Sequence, residues 1–423
     1  MFWKIKRALN NLKKRKSYSN YVGASSFIQF VRKIVGVSVY TLKISPSGLV
    51  TAHFTYLGFI CFVMWYSTYF YCVYIIYYSD QTILRSLYNT KLLHYGDEVE
   101  RISTTIFVLY TMGKLPFDMK INCEYVQELI DIDKAINSLG KTINYSKNAR
   151  LAIVAAVAQM LISFARTLSI WMALANLTIS IPLEKVFQIV HSDELALITT
   201  AQYCIFLHEL KCRYKIVNRV LDTVETPETP VFNLLVATRK KKAERAPCTL
   251  QFQDKQASEK IKICGKIYGM LHNASETANS KFGLSIALTM FMCLILVVLY
   301  LFYFMEATAS GLFHDFQKYA NFLTHVFWQI GFAVGIIYLS VYFCENTVRE
   351  AKITSFITHK IINSEMDPLV RREAVHLSLQ VIHQLPSFTA HGLCRIDYVL
   401  LLEGSRTVVT FLVILLQFVA DPN

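Results

Sequence analysis

The chain has 423 residues, of which 54% are hydrophobic and only 17% charged, and its mean hydropathy is +0.36. That leaves too little polar surface for a soluble fold of this size and places the chain in a membrane. The formal net charge of +13 does not indicate nucleic acid, because a binder gathers Lys and Arg into a stripe interleaved with stacking aromatics, and here the basic residues fall between apolar segments.

The N-terminal segment, 1–47, begins with a basic run from Met1 to Ser17 and lacks a small-residue cleavage site after a short apolar core, so no signal peptide is expected. A membrane-spanning helix needs about 20 apolar residues to cross roughly 30 Å of hydrocarbon, and seven stretches approach or meet that length. In chain order they are His53 to Tyr78, Ile102 to Met119, Leu151 to Ala175, Leu195 to Val217, Phe282 to Met305, Phe322 to Phe343 and Ile396 to Val419. The first, third, fourth, fifth and sixth are the most apolar. The second is interrupted by Gly113, Lys114 and Pro116, and the seventh carries Asp397, Glu403 and Arg406, so these two call for a protein-lined environment. The expected fold is all-α: a polytopic membrane protein of seven transmembrane helices.

Three stretches outside the spans have apolar faces at helical spacing: Ile261, Cys264, Ile267, Tyr268 and Leu271, then Val348 to Ile362, then Leu369 to Leu385. They read as helices prolonged into the cytosol that pack on one another or on neighbouring subunits. Between the fourth span and the first of these faces, Thr226 to Ala246 is basic and holds Pro227 and Pro230, a composition expected to be disordered.

Orientation follows the bias of Lys and Arg toward the cytoplasm. Lys120, Lys134, Lys141, Lys147 and Arg150 follow the second span, and Arg239 to Lys242 with Arg245 follow the fourth. The third-to-fourth and fifth-to-sixth connections carry only Lys185 and Lys318. The N-terminus is therefore expected inside, and the odd helix count puts the C-terminus outside, opposite to a G-protein-coupled receptor. None of the ten cysteines falls in an expected exterior connection, so the disulfide common in such receptors is not expected and the thiols read as reduced.

Ionisable groups within spans are costly and point to function. Arg166 lies about 22 Å into the third span. In the outer layer the same topology places Tyr110, Trp171, Tyr203, Tyr303, His325, Trp328 and Gln329. Aromatics with a few polar anchors suit a small-molecule pocket facing the exterior. The competing reading is an interfacial belt of Trp and Tyr, with Arg166 snorkelling outward.

On the seventh span, Thr407, Thr410, Ile414 and Gln417 fall at intervals of three or four, one helical face with the mixed character of a pore wall. An apolar ring shuts such a pore by dewetting and an amide ring rewets it. The competing reading has the Thr hydroxyls bonding their own backbone and Gln417 at the interface. Asn176-Leu177-Thr178 is a glycosylation sequon at the membrane edge. His314 and His325 are too far apart for a helical metal pair and no Cys-x-x-Cys occurs. No phosphate-binding loop, dinucleotide turn or nucleophile triad is present, so no metal, cofactor or enzymatic activity is expected.

Two local patterns carry a family resemblance. Thr407 to Phe418 (TVVTFLVILLQF) and the preceding SFTAHGLCRIDYVL, with Phe388, Ala390, Gly392, Asp397 and Leu400, resemble the C-terminal signature of insect gustatory receptors. The resemblance implies a homotetrameric, ligand-gated, non-selective cation channel of the plasma membrane, with related receptor subunits as further partners. It implies a ligand-binding bundle in 48–217, a linker and helical extension in 218–281, spans five and six in 282–345, cytosolic anchor helices in 346–395 and a pore-lining helix in 396–419. It makes Gln417 and Phe418 the gate pair, with Thr410, Phe411 and Ile414 on the pore helix, and sets Trp171 and Trp328 in the walls of the tastant pocket. Two positions depart from the pattern. Phe411 stands where the family usually has Tyr, and Leu412 stands where the sugar-tuned branch more often has an acid, leaving bitter compounds, fructose-like sugars or other contact cues. A metabotropic seven-helix receptor and a transporter sharing the helix count stay open as alternatives.

Overall fold

The computed structural model describes residues 21–78, 91–114, 116–176, 182–225, 247–309, 316–363 and 367–420. The elements are α1 (Tyr21–Ala24), α2 (Ser26–Ile34), β1 (Tyr40–Ile44), β2 (Val50–Phe54), α3 (Tyr56–Tyr78), α4 (Lys91–Lys114), α5 (Met119–Ser138), α6 (Tyr145–Asn176), α7 (Leu183–Glu225), α8 (Pro247–Ala309), α9 (Phe316–Asn363), α10 (Pro368–His383) and α11 (Tyr398–Ala420). The described residues are all-α apart from one hairpin. Met1 to Ser17, Thr226 to Ala246 and most of the sequon lie outside the described residues.

Among the described residues, five helices are long and apolar enough to cross a membrane: Tyr56–Tyr78, Tyr145–Met172, Lys255–Thr308, Tyr319–Asn363 and Tyr398–Gln417. The seventh expected span is thus among them, and the second and fourth are not. Asp397 lies just outside α11, while α7 carries Lys185, Asp193, Glu194, Glu209, Lys211 and Arg213 along its length. Helix α7 tolerates these groups because it runs through the middle of the bundle, where Asp193 and Arg213 find partners.

Three expected boundaries move. The hairpin occupies residues assigned to the first span, which begins at Tyr56 rather than His53; its strands pair antiparallel from Tyr40 with Phe54 to Ile44 with Val50, and Gly48 closes the turn at φ +80°. Helix α4 ends at Lys114, ahead of Pro116, because proline lacks an N–H and drives the preceding residue out of helical conformation. The helix over the second expected span therefore lies further toward the N-terminus than expected, and a separate helix, α5, follows the break. Helix α7 starts at Leu183, about three turns before the expected edge at Leu195.

Helices α8 and α9, of 63 and 48 residues, run without interruption through the expected span ends at Phe282 and Phe343. At 1.5 Å per residue α8 is about 95 Å long, roughly three times the hydrocarbon thickness. Its projecting part buries Ile261, Cys264, Ile267, Tyr268 and Leu271. Opposite stand Ala351, Ile357 and Ile361 of α9 and Val370, Ala374, Leu377 and Val381 of α10, so the three amphipathic faces pack on one another. Asp367 starts α10 by accepting from the Leu369 N–H at 3.3 Å, with Pro368 at the first helical position. A second apolar cluster joins α3, α4, the start of α7, and the later parts of α8 and the earlier parts of α9.

Helix α5 is fixed to α7 by a buried ion pair. Arg213 Nε and Nη2 donate to the two carboxylate oxygens of Asp133 at 2.8 and 2.9 Å, and the Tyr145 hydroxyl donates to the same carboxylate at 2.7 Å. Both charged side chains are almost wholly buried, so removing one strands the other in a medium of low polarity. Asp133→Ala is expected to destabilise the protein by about 3–5 kcal/mol, read as a lowered melting temperature of the detergent-solubilised chain.

Candidate functional site

At the end of the bundle where α6 ends and α7 begins, Arg166 projects inward from α6 and is only 4% exposed. One guanidinium nitrogen donates to the Asp193 carboxylate of α7 and the other to the side-chain carbonyl of Gln329 on α9. The Phe332 ring lies 4.0 Å beneath it. A desolvated cation needs such partners, and Arg166 is an internal tie among three helices rather than a snorkelling side chain.

Around this tie the bundle is polar and aromatic by turns. His325, one turn along α9 from Gln329, meets the Tyr300 ring at 5.5 Å, and the Tyr300 hydroxyl donates to Glu100 of α4 at 3.3 Å. Tyr303 packs edge-on to Tyr300 at 5.6 Å. Next to Arg166, a cleft of about 20 Å³ is lined by Glu100, Arg101, Lys185, Gln188, Asp193 and Gln329, room for about one water molecule. On its flank His191 is stacked with Trp65 at 5.6 Å and Phe187 at 5.5 Å.

The structure therefore brings together Arg166, His325, Gln329 and Tyr303; Trp328, on the same helix as His325 and Gln329, is half-buried with its ring 6.4 Å from that of Phe327. Three expected pocket residues do not join. Trp171 is 41% exposed on the outer surface of α6. Tyr203 lies deeper, its hydroxyl 3.0 Å from Cys344 Sγ and its ring 5.6 Å from Phe282. Tyr110 sits beneath Lys114, whose ammonium donates to the Lys281 carbonyl at 3.4 Å. Both misplacements follow from the early starts of α4 and α7, which push Tyr110 and Tyr203 toward the far end of the bundle. Asp193, Glu100, His191 and Tyr300 were not anticipated. An acid was discoverable from the rule that an intramembrane Arg pairs with one, had α7 been extended to include Asp193.

The final helix is built differently. Leu401, Val408, Leu412 and Leu415 form a stripe packed against α8 and α9. At 3.6 residues per turn the opposite face carries Glu403, Thr407, Thr410, Ile414 and Gln417, and of these Glu403, Thr410, Ile414 and Gln417 are exposed within the single chain. Phe411 lies on the flank, half exposed; the Phe418 side chain is outside the described residues. The Thr407 and Thr410 hydroxyls donate to the Glu403 and Arg406 carbonyls at 2.9 and 3.0 Å, which leaves their oxygens as acceptors on the open face.

The loop before α11 explains its own motif. Phe388 and Ala390 are buried, Gly392 turns the chain at φ +77°, and Leu400 packs on the core. The Asp397 carboxylate accepts from the Val399 and Leu400 N–H groups at 3.0 and 3.2 Å, capping α11. Asn279 of α8 grips the loop from both sides, donating to the Ser387 carbonyl at 2.7 Å and accepting from the Thr389 N–H at 3.2 Å. Gly283, one turn on, lies so close that an added Cβ would stand 3.0 Å from the His391 backbone nitrogen.

The nine described cysteines are free thiols, and no group of three or more potential metal ligands occurs among the described residues. The family model of the 7tm chemosensory receptors matches residues 29–420. The chain is 23% identical to gustatory receptor 28b of Drosophila melanogaster over 358 residues, 82% of this chain and 75% of that protein. It is 30% identical to gustatory receptor 28a of the same fly over 162 residues, 37% of this chain and 35% of that protein. Its fold is similar to the insect olfactory receptor OR5 from Machilis hrabei, solved in complex with eugenol, with a TM-score of 0.60 at 12% identity, covering 93% of this chain and 97% of that one. A second structure of the same receptor gives a TM-score of 0.55 at 13% identity over 94% of this chain and 99% of that one. With a match running almost from end to end and gustatory relatives beside it, the chain belongs to the 7tm chemosensory receptor family of insects.

Proposed function

We propose that the protein is a gustatory receptor of the sensory-neuron plasma membrane acting as a ligand-gated, non-selective cation channel. Seven spans set its N-terminus inside and its C-terminus outside, and four copies assemble around a central path lined by α11. The observation that carries the reading is the free face of α11. A helix buried along one stripe, with Thr, Ile and Gln open on the other, suits a wall shared among copies and wetted by ions. Gln417 and Phe418 form the gate, with Thr410, Phe411 and Ile414 below them.

The tastant, a bitter compound or fructose-like sugar, enters from outside beside Arg166, His325, Gln329, Tyr303 and Trp328. The related olfactory receptor is solved with eugenol, which supports a small organic ligand here. Because the cleft holds about one water molecule, a tastant makes room by parting α7 from α9 around Arg166. A ligand shifts the bundle only by its differential affinity for the parted state.

In cells lacking G-protein signalling, tastant application is expected to evoke whole-cell current, and Trp328→Ala to abolish it while surface expression persists; an unchanged dose response removes Trp328 from the site. With cysteine introduced at Gln417, a charged thiol reagent applied from outside is expected to block that current. Protection of the position in every gating condition overturns the pore assignment.

A further inference from the structure

A partly open cavity with polar groups in its wall lies at the other end of the bundle, away from Arg166. It measures about 110 Å³ and is bordered by α1, α2, β1, α5, α6, α7 and the middle of α8. Lys281 lines it from α8 at 5% exposure, its ammonium 4.5 Å from the Phe282 ring centre and 5.2 Å from that of Tyr125. Among the described residues this ammonium has neither a hydrogen bond nor an ion pair. Arg32 of α2 lines the same space, and its Nε is buried with no hydrogen-bond partner. Gln202 of α7 adds a third: its amide nitrogen, also buried, has no partner.

The three orphaned groups around this one cavity are all donors, and two carry positive charge. The carboxylates nearby do not answer them. Glu209 lines the same cavity and, with Asp118, lies within electrostatic reach of Lys281, but neither forms an ion pair with Lys281 or Arg32; the Glu209 carboxylate accepts instead from the Tyr125 hydroxyl at 3.4 Å. Burying a cation without hydrogen bond or counter-charge is costly, and orphaned donors call for an acceptor. The three terminal oxygens of a phosphate monoester match two cations and an amide in hydrogen-bond count.

We propose that this cavity binds a phosphate monoester, held by Lys281 and Arg32 and oriented by the Gln202 amide. The phosphate comes from a phosphorylated lipid headgroup or from a soluble phosphate ester, and α1 and α2 close over it from the N-terminal side. Occupancy ties α2 to α7 and α8 through the ligand.

The test uses the full chain in phosphatidylcholine nanodiscs, measuring melting temperature and binding with phosphatidylinositol 4-phosphate added to the bilayer or glycerol 3-phosphate added to the buffer. A raised melting temperature with the lipid alone identifies a headgroup, and with both, a free phosphate ester; each supports the site. Lys281→Met is expected to weaken binding about tenfold or more, the loss of one hydrogen bond to a charged group, and Arg32→Gln and Gln202→Leu to weaken it independently should the first variant fold poorly. Lys43→Gln, at an exposed neighbouring position, is expected to change nothing. No stabilisation by either probe, or equal binding by the wild type and all three cavity variants, overturns the proposal.

Discussion

Charge buried in an apolar bundle must be paired, and in this chain the pairing decides which helices sit together. Arg166 on α6 can be desolvated only because Asp193 on α7 and Gln329 on α9 meet it. Arg213, lower on α7, is answered by Asp133 on α5. Both ties use α7, which explains why the helix richest in internal charge lies within the bundle and why the most apolar helices surround it. The same constraint sets the longitudinal register: α6 and α7 can slide past one another only by exposing Arg166 to hydrocarbon.

The final helix obeys the opposite rule. It is held along one stripe, capped by Asp397, and fastened at its base by the two hydrogen bonds of Asn279. The motif from Phe388 to Leu400 is thus mainly structural: it converts the end of the packed α8–α9–α10 assembly into the start of a helix with an open face. Anchoring at one end and freedom along the other side are compatible requirements only if the base is rigid, which buried Phe388 and Ala390 provide.

Much of this was legible in the residues. The apolar lengths located the helices, the heptad-like faces around Ile267, Ile357 and Leu377 announced a packed assembly, and the pattern from Phe388 to Phe418 carried the family. The hairpin from Tyr40 to Phe54 escaped because its short strands abut an apolar helix and share its composition. Helix α5 escaped because its lysines read as a loop, although Val126, Leu129, Ile132 and Ile136 keep helical spacing. The placement of the outer-layer residues was half legible. Arg166, Gln329, His325 and Tyr303 fall together, but Tyr110 and Tyr203 were set too high because hydropathy finds where a helix is apolar, not where it begins. The early turns of α7, with Lys185 and Asp193, are helical for tertiary reasons that no apolar window detects.

Gly283 gives the bundle a mechanical property. Its α-carbon faces main chain at His391 rather than a side chain that could swing aside, so α8 and the loop below α11 are in contact through their least deformable atoms. Whatever position α8 takes at this level is therefore met by main chain at the base of α11, with no side-chain rotamer between them to take up the difference.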